Sequence, residues 1–260
     1  MPINQEKRAY DVWEILIQCA KMQKTITYKN LGEKTNIHHR ALRHPLDLIQ
    51  NYCLDEKLPP LTILVVNQSG IPGQGFIAWD IDDAESGVQK VDDYNWDMIV
   101  NPFSYAYDNT TDEMLVQGLL KSPENSKEVY AKVNNRGIAQ RIFRKALLTA
   151  YDNKCAFTGL SYIEGLEAAH IVPWTKSTDE QRLDVRNGIL INAFHHKLFD
   201  AGFIRINENY EIVCDENQYR STTEYDKKMI DNICGKVIYL PSNRQHYPLI
   251  ENIEQANSYH

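Results

Sequence analysis

The chain is short of cysteine, of long apolar runs and of repeats, and each shortage removes a class of protein. Five cysteines in 260 residues, Cys19, Cys53, Cys155, Cys214 and Cys234, are odd in number and widely spaced, with no CxxC pair. That usage fits reduced thiols better than a disulfide framework and leaves no four-cysteine zinc site. No stretch approaches the roughly 18 uninterrupted apolar residues that a membrane helix needs, and the opening MPINQEKRAY lacks the apolar core of a secretory leader. No membrane association and a cytoplasmic location are therefore expected. Internal repeats and low-complexity tracts are also missing, which removes solenoids and tails of biased composition. What is present, 43% hydrophobic and 24% charged residues, is the composition of a globular protein, and the length suits one large domain or two small ones.

The formal charge of −7 argues against a chain coated by nucleic acid, but charge acts locally. Residues 80–125 hold two Lys or Arg against eleven Asp or Glu, whereas residues 126–160 hold seven against two. The acidic stretch, with Tyr94, Trp96, Phe103, Tyr105 and Tyr107 interleaved, reads as cover for a first domain followed by a linker, its charge as a solvated face. The basic stretch lies just before the segment richest in chemistry-bearing side chains.

Apolar residues at Val12, Ile15, Leu16 and Cys19 recur at helical spacing and predict an amphipathic helix over 8–22. A short extended piece at 25–28, a helix over 29–35 and another over 39–53 give a helix-turn-helix rhythm. Pro59 and Pro60 break it, and LTILVV is a β-branched run of buried-strand type closed by Asn67, Gln68, Ser69 and Gly70. The glycines of the following GIPGQGF let backbone come close to a partner. Through ITYKNLG, RALRHPLDLI and SGIPGQGF this part loosely resembles the winged-helix half of alkyltransferase-like DNA-binding proteins. A small α/β domain with an ordinary strand after a helical hairpin is the other reading. Residues 1–107 are expected as this recognition domain, 108–125 as an acidic linker and 126–260 as a second domain.

In AQRIFRKALLTAY, Ile142, Phe143, Ala146, Leu147 and Ala150 share one helical face, so a helix with a basic side is expected over 139–151. Next come CAFTG, LEAAHIVPW, in which Pro173 ends a strand, and RNGILI. A helix then runs from about Ala193 through Leu198 and Phe199 to a stop at Gly202, giving the order strand, loop, strand, helix. The pieces GIAQRIFRKALLTAY, CAFTG, LEAAHIVPW, RNGILI and HHKLFDAG, in that order, with GKVIYLP near the end, resemble the HNH endonuclease superfamily in the branch found in restriction and defence nucleases. The likeness covers about residues 136–240. It implies an α+β fold class: a C-terminal ββα-metal HNH nuclease domain preceded by a small α/β recognition domain, with a winged helix as one form of it.

Hydrolysing a phosphodiester requires water deprotonated beside the phosphorus and an ion that neutralises charge on the non-bridging and leaving oxygens. The resemblance makes His170 the general base, an imidazole being suited to that task near neutral pH. It makes Asn187 the residue whose carboxamide holds its loop and the base strand in register. His196, nine residues past Asn187, takes the place of the superfamily's helical metal ligand. His195 adjoins it, and neighbours on a helix point about 100° apart, so His195 faces substrate or packs. Asp200 shares the face of His196 and serves as ligand or as its orienter. Many HNH families carry an acid immediately before the base; Ala169 stands there, so Glu167, Asp200, His195 or water must substitute.

One divalent ion, Mg²⁺ or Mn²⁺, is the expected cofactor. CAFT and NAFH offer one cysteine and one histidine where many relatives have two CxxC knuckles, so structural zinc is not expected and Cys155 reads as buried packing. Arg136, Arg141, Arg144, Lys145, Lys154, Arg186 and His195 are the candidate DNA contacts. The expected protein is a metal-dependent endonuclease for double-stranded DNA, site-specific or sensitive to base modification like a restriction enzyme, acting in antiviral defence. A signal-gated defence effector and a decayed HNH fold that only binds DNA are the alternatives. One HNH centre cuts one strand, so a double-strand break calls for a homodimer or two sequential nicks.

Overall fold

A computed structural model describes residues 3–215 and 223–259. It divides into two compact units, Met1–Met114 with Asn135–Ile138 and Leu115–Asn134 with Ala139–His260. Helices with small two-stranded sheets make the class α+β-like. No helix among the described residues is long and apolar enough to cross a membrane.

The first unit opens on α1 (Gln5–Lys21), capped by the Asn4 side chain, with Val12, Trp13 and Leu16 buried. β1 (Ile26–Thr27) leads into α2 (Tyr28–Thr35), which Thr27 caps and Asn36 ends in the left-handed conformation. The single helix expected over 39–53 is broken. His38 caps a 3-10 turn at His39–Ala41, and α3 (Arg43–Asp55) starts afresh with Pro45 in its first turn, where a missing N–H costs nothing. LTILVV, expected as a strand, forms a 3-10 turn over Leu61–Leu64 and only then β2 (Val65–Val66), parallel to β1. The run is buried throughout, and burial on every side carries no period by which strand and helix differ. Beyond that ladder the pairing is a single antiparallel bridge from Val66 to Pro72.

α4 (Ala84–Asp92) and the 3-10 turns after it carry Trp96, Phe103 and Tyr105 into the core. Asp80, Asp82 and Asp83 stay exposed, so the acidic segment presents its aromatic side inward. The stretch expected as a linker includes α5 (Asp112–Lys121).

The second unit contains α6 (Ser126–Val133), most of α7 (Arg136–Ala150), β3 (Leu166–His170), β4 (Gly188–Asn192) and α8 (Ala193–Asp200). After these come β5 (Ile204–Ile206), β6 (Ile212–Cys214), α9 (Glu224–Asp231) and α10 (Ile250–Asn257). β3 and β4 pair antiparallel, Leu166 opposite Asn192 and His170 opposite Gly188, and β5 pairs antiparallel with β6. A Cβ at Gly188 would lie 2.5 Å from the Phe143 ring and 2.7 Å from a Leu147 methyl. Glycine is what lets β4 start against α7. At the other end of β4, Asn192 accepts from the His195 N–H at 2.9 Å and caps α8, so strand passes directly into helix.

Cys214 and Cys234 form a disulfide, which corrects the expectation that all five thiols are reduced. β6 and the turn after α9 bring their Cα atoms to 6.0 Å across 20 residues of sequence, a pairing that spacing alone does not reveal. Cys19, Cys53 and Cys155 are free thiols, and burial pushes the Cys53 thiol up to about 12.

Candidate active site

His170 closes β3. Its ring stacks on Phe143, with centroids 4.1 Å apart and planes 15° from parallel, and Trp174 meets it edge-on at 5.5 Å. Nε2 lies 3.0 Å from the carbonyl oxygen of Arg182. A carbonyl only accepts, so Nε2 bears the proton and Nδ1 is the basic nitrogen. Stacking fixes the plane of the ring, and that one bond fixes its tautomer.

Asn187 is fully buried and acts as a tie. Its Oδ1 accepts from the Val172 N–H at 2.9 Å, and its Nδ2 donates to the carbonyl of Gln181 at 3.1 Å and to Val172 O and Ser177 Oγ at 3.3 Å. Its own carbonyl accepts from the Ile171 N–H at 2.9 Å. One residue thus joins the exit of β3, the loop that follows and the start of β4. Arg182 is next to Gln181, so the same tie places the carbonyl that holds His170.

His196 and Asp200 stand one turn apart on α8. His196 Nδ1 is 2.5 Å from Glu167 Oε2, and Nε2 is 3.4 Å from Asp200 Oδ1. The carboxylate of Glu167 accepts from Nδ1–H, so on the neutral ring Nε2 carries a lone pair that faces a second acceptor. Two acceptors so placed suit a shared cation, and an imidazole nitrogen with a carboxylate oxygen suits a divalent one. No group of three or more His, Cys, Asp or Glu converges to hold a metal among the described residues. His196 and Asp200 would therefore hold an ion from one side, in the way Mg²⁺ sites combine one or two protein ligands with phosphate and water. Glu167 would orient the imidazole from behind. Ala169 is fully buried, so an acid in its place would lie in the core.

His170, His196 and Asp200 line one pocket of about 350 Å³, together with Trp174, Phe199 and Arg205. The remaining candidates lie elsewhere. His195 is 1% exposed and packs beside Phe157, and burial lowers its pKa. It is a core residue. Arg186 grips Asp184 through Nε at 2.9 and 3.1 Å and Nη2 at 2.8 Å. That grip raises its pKa and occupies the guanidinium within its own loop, and Arg186 does not line the pocket. Arg144 donates to the carbonyls of Ile163 at 3.0 Å and Leu166 at 2.9 Å, bracing the chain into β3. Arg136, Lys145 and Lys154 are exposed, Arg141 is half-buried, and none of the four lines the pocket.

Three contributors carry little signal in the sequence. Phe143 follows the helical period of a core residue and gives no sign that it supports a ring. Arg182 acts through a backbone carbonyl that any residue possesses; its guanidinium lies 5.1 Å over Tyr130 and 5.5 Å over Trp174 and bonds Asp179 at 2.6 Å. Arg205 is a lone cation in a short strand.

No curated protein matches the chain. Residues 155–207 match the family model of the HNH endonucleases, a stretch that holds β3, β4, α8 and β5 with Glu167, His170, Asn187, His196 and Asp200. A domain of this kind points to a nuclease acting on nucleic acid, with DNA as substrate, and HNH nucleases generally use a divalent metal. Set on this ββα arrangement, the match supports an HNH endonuclease domain over residues 155–207.

Proposed function

We propose that the chain is a metal-dependent endonuclease that hydrolyses phosphodiester bonds of double-stranded DNA at particular or modified sites, as a cytoplasmic restriction enzyme does in antiviral defence. The observation that carries this reading is the His170 ring, held by Phe143 and by the Arg182 carbonyl, in the pocket that His196 and Asp200 also line. In this reading His170 Nδ1 takes the proton from the attacking water, and Nε2 keeps its bond to Arg182 throughout, so the ring does not swing as it charges. His196 and Asp200 would hold the divalent ion, Mg²⁺ or Mn²⁺, which when bound would neutralise charge on the phosphate and the leaving 3′-oxygen. Glu167 and Asn187 are positioning residues, the first for the His196 imidazole and the second for the loop that ends on Arg182. Departure of the 3′-oxygen leaves a 5′-phosphate on the other fragment.

The proposal extends to the layout. Residues 1–107 read the DNA in winged-helix manner, supported by their order of helix, short strand, two helices, short strand and turn; residues 108–125 connect, and 126–260 cut. Two copies supply the two centres that a double-strand break requires.

Purified protein incubated with plasmid in Mg²⁺ and separately in Mn²⁺, on methylated and unmethylated DNA, tests the reading beside His170→Ala. Discrete fragments are expected from the wild type, with a loss of roughly 10²–10⁴-fold in the variant, the range a positioned base supplies. Intact plasmid in every lane sinks the reading. Equal cutting by both proteins moves the base away from His170.

A further inference from the structure

A pocket that receives a phosphodiester beside Asp200, with Glu167 behind His196, needs fixed positive charge as well as an ion, because carboxylates repel the incoming phosphate. The residues nearest in sequence to the motif do not provide it. Arg186 is closed on Asp184, Arg144 is closed on two backbone carbonyls, and Lys145 and Lys154 lie outside the pocket. Among the described residues the pocket is lined by one Lys or Arg, and that residue is Arg205.

Its setting favours binding an anion over structural service. Arg205 is the middle residue of β5, between the buried Ile204 and Ile206, and pairs across the ladder with Val213. The two isoleucines are buried and line the same pocket, so the strand that carries the arginine is anchored beside it. The Asn257 side chain of α10, which lines the same pocket, donates to the Ile206 carbonyl at 3.0 Å and holds the strand. Arg205 is half-buried, and its side chain has no hydrogen-bond or ion-pair partner among the described residues. A guanidinium on a paired strand, with its donors unmatched by any described residue, presents a planar fork that fits two oxygens of one phosphate.

We infer that Arg205 clamps the non-bridging oxygens of the DNA phosphate that faces His170, and is the fixed cation of the substrate site. The inference rests on the nuclease reading for the identity of the reaction, but the phosphate contact itself is measurable without cleavage. Arg205→Ala, Arg205→Gln and Arg205→Lys are compared with wild type in two assays on one labelled duplex: equilibrium binding in EDTA across a salt series, and single-turnover cleavage with Mg²⁺ or Mn²⁺.

Loss of one phosphate contact lowers the slope of log affinity against log salt by about one. A residue that merely supports the fold leaves that slope unchanged. Arg205→Ala and Arg205→Gln are therefore expected to show the reduced slope and a cleavage rate lower by about 10²-fold at saturating DNA, the cost of removing one charge-stabilising donor. Arg205→Lys keeps the charge, and with it the slope, but recovers only part of the rate because the two-pronged geometry is lost. It also serves as the test should the neutral variants fail to fold.

Unchanged slope and rate in the neutral variants, with wild type cutting and His170→Ala inert, overturn the inference and leave the nuclease standing. A reduced slope in a protein that never cuts upholds the phosphate contact and removes the nuclease. Absence of binding by the wild type overturns both.

Discussion

Around Trp13 in the first unit, Tyr52, Trp96 and Phe103 meet edge to face with centroids 5.7, 6.1 and 6.3 Å away. Around Asn187 in the second, the buried contacts are hydrogen bonds of 2.9–3.3 Å to backbone and to Ser177. The first kind of core gains from removing apolar area and is indifferent to direction, so it settles where volume is filled. The second kind holds only where donor and acceptor are aligned, and it fixes atoms to a few tenths of an ångström. A ring that must hold one nitrogen toward water needs the second kind, and that is where His170 stands. Shape complementarity suffices for a core that holds no reacting group.

An apolar residue of similar volume separates the two cores most sharply. Asn187→Leu leaves the buried Val172 N–H and Gln181 carbonyl without partners, each costing about 1–3 kcal/mol, so a loss of about 3 kcal/mol in urea unfolding is expected. In the first unit Leu64→Met, at a fully buried position, is expected to cost less than about 1.5 kcal/mol. Equal losses would erase the distinction between the cores. DNA cleavage adds a second reading: the Asn187 variant is expected to fall below detection even at temperatures where it remains folded, and the Leu64 variant to cut as wild type.

A smaller effect comes from two glycines under similar pressure. A Cβ at Gly188 meets the Phe143 ring at 2.5 Å, and one at Gly87 meets the Ile63 methyl at 2.6 Å and Trp79 at 2.7 Å. Both alanine variants are overpacked, at about 1–3 kcal/mol each. Phe143 is also the platform beneath His170, so Gly188→Ala is expected to slow cleavage about tenfold, in line with the sensitivity of catalysis to small displacements, while Gly87→Ala leaves the rate alone. Thermal melts with rates taken well below both transitions separate stability from positioning. A rate loss confined to Gly87→Ala would reverse the assignment.

The same contrast explains what the sequence discloses. α1 was legible to within about three residues because Val12, Leu16 and Cys19 alternate with polar neighbours. The order of β3, β4 and α8 was legible because polar side chains with few other uses stand at fixed spacings. LTILVV was not legible, since a run buried on all sides offers no period. The 100° between neighbours separated His195 from His196, but which face α8 would bury depended on Phe157, 38 residues before His195. Arg186 and Arg144 were counted as cations for DNA because a charge count says nothing of partners, although Asp184, two residues before Arg186, was a visible sign. The disulfide of Cys214 and the carbonyl of Arg182 depend on chain reversals that leave no local trace.

The smallest expected effect is the pH dependence of the polar core beneath α8. Asn192 caps the helix with Oδ1, which accepts from the His195 N–H at 2.9 Å, so its Nδ2 faces the ring Nδ1 at 2.9 Å and donates to it. Nδ1 must accept, Nε2 bears the hydrogen, and Nε2 is buried with no partner among the described residues. Burial lowers the pKa of this ring below its ordinary 6.5, and a proton on Nδ1 would also set donor against donor. Above about pH 6.5 both folded and unfolded chains hold the ring neutral, and its contribution is constant. Below it the unfolded chain takes up the proton first, so stability falls by up to about 1.4 kcal/mol per pH unit until the native ring titrates at its lowered value. Between about pH 7.5 and about 5.5, in EDTA, wild type is expected to lose more stability than His195→Gln, which has nothing to titrate there. Parallel losses in urea titrations would mean that the ring is solvated in the native state and that the core of the second unit is less directional than its hydrogen bonds indicate.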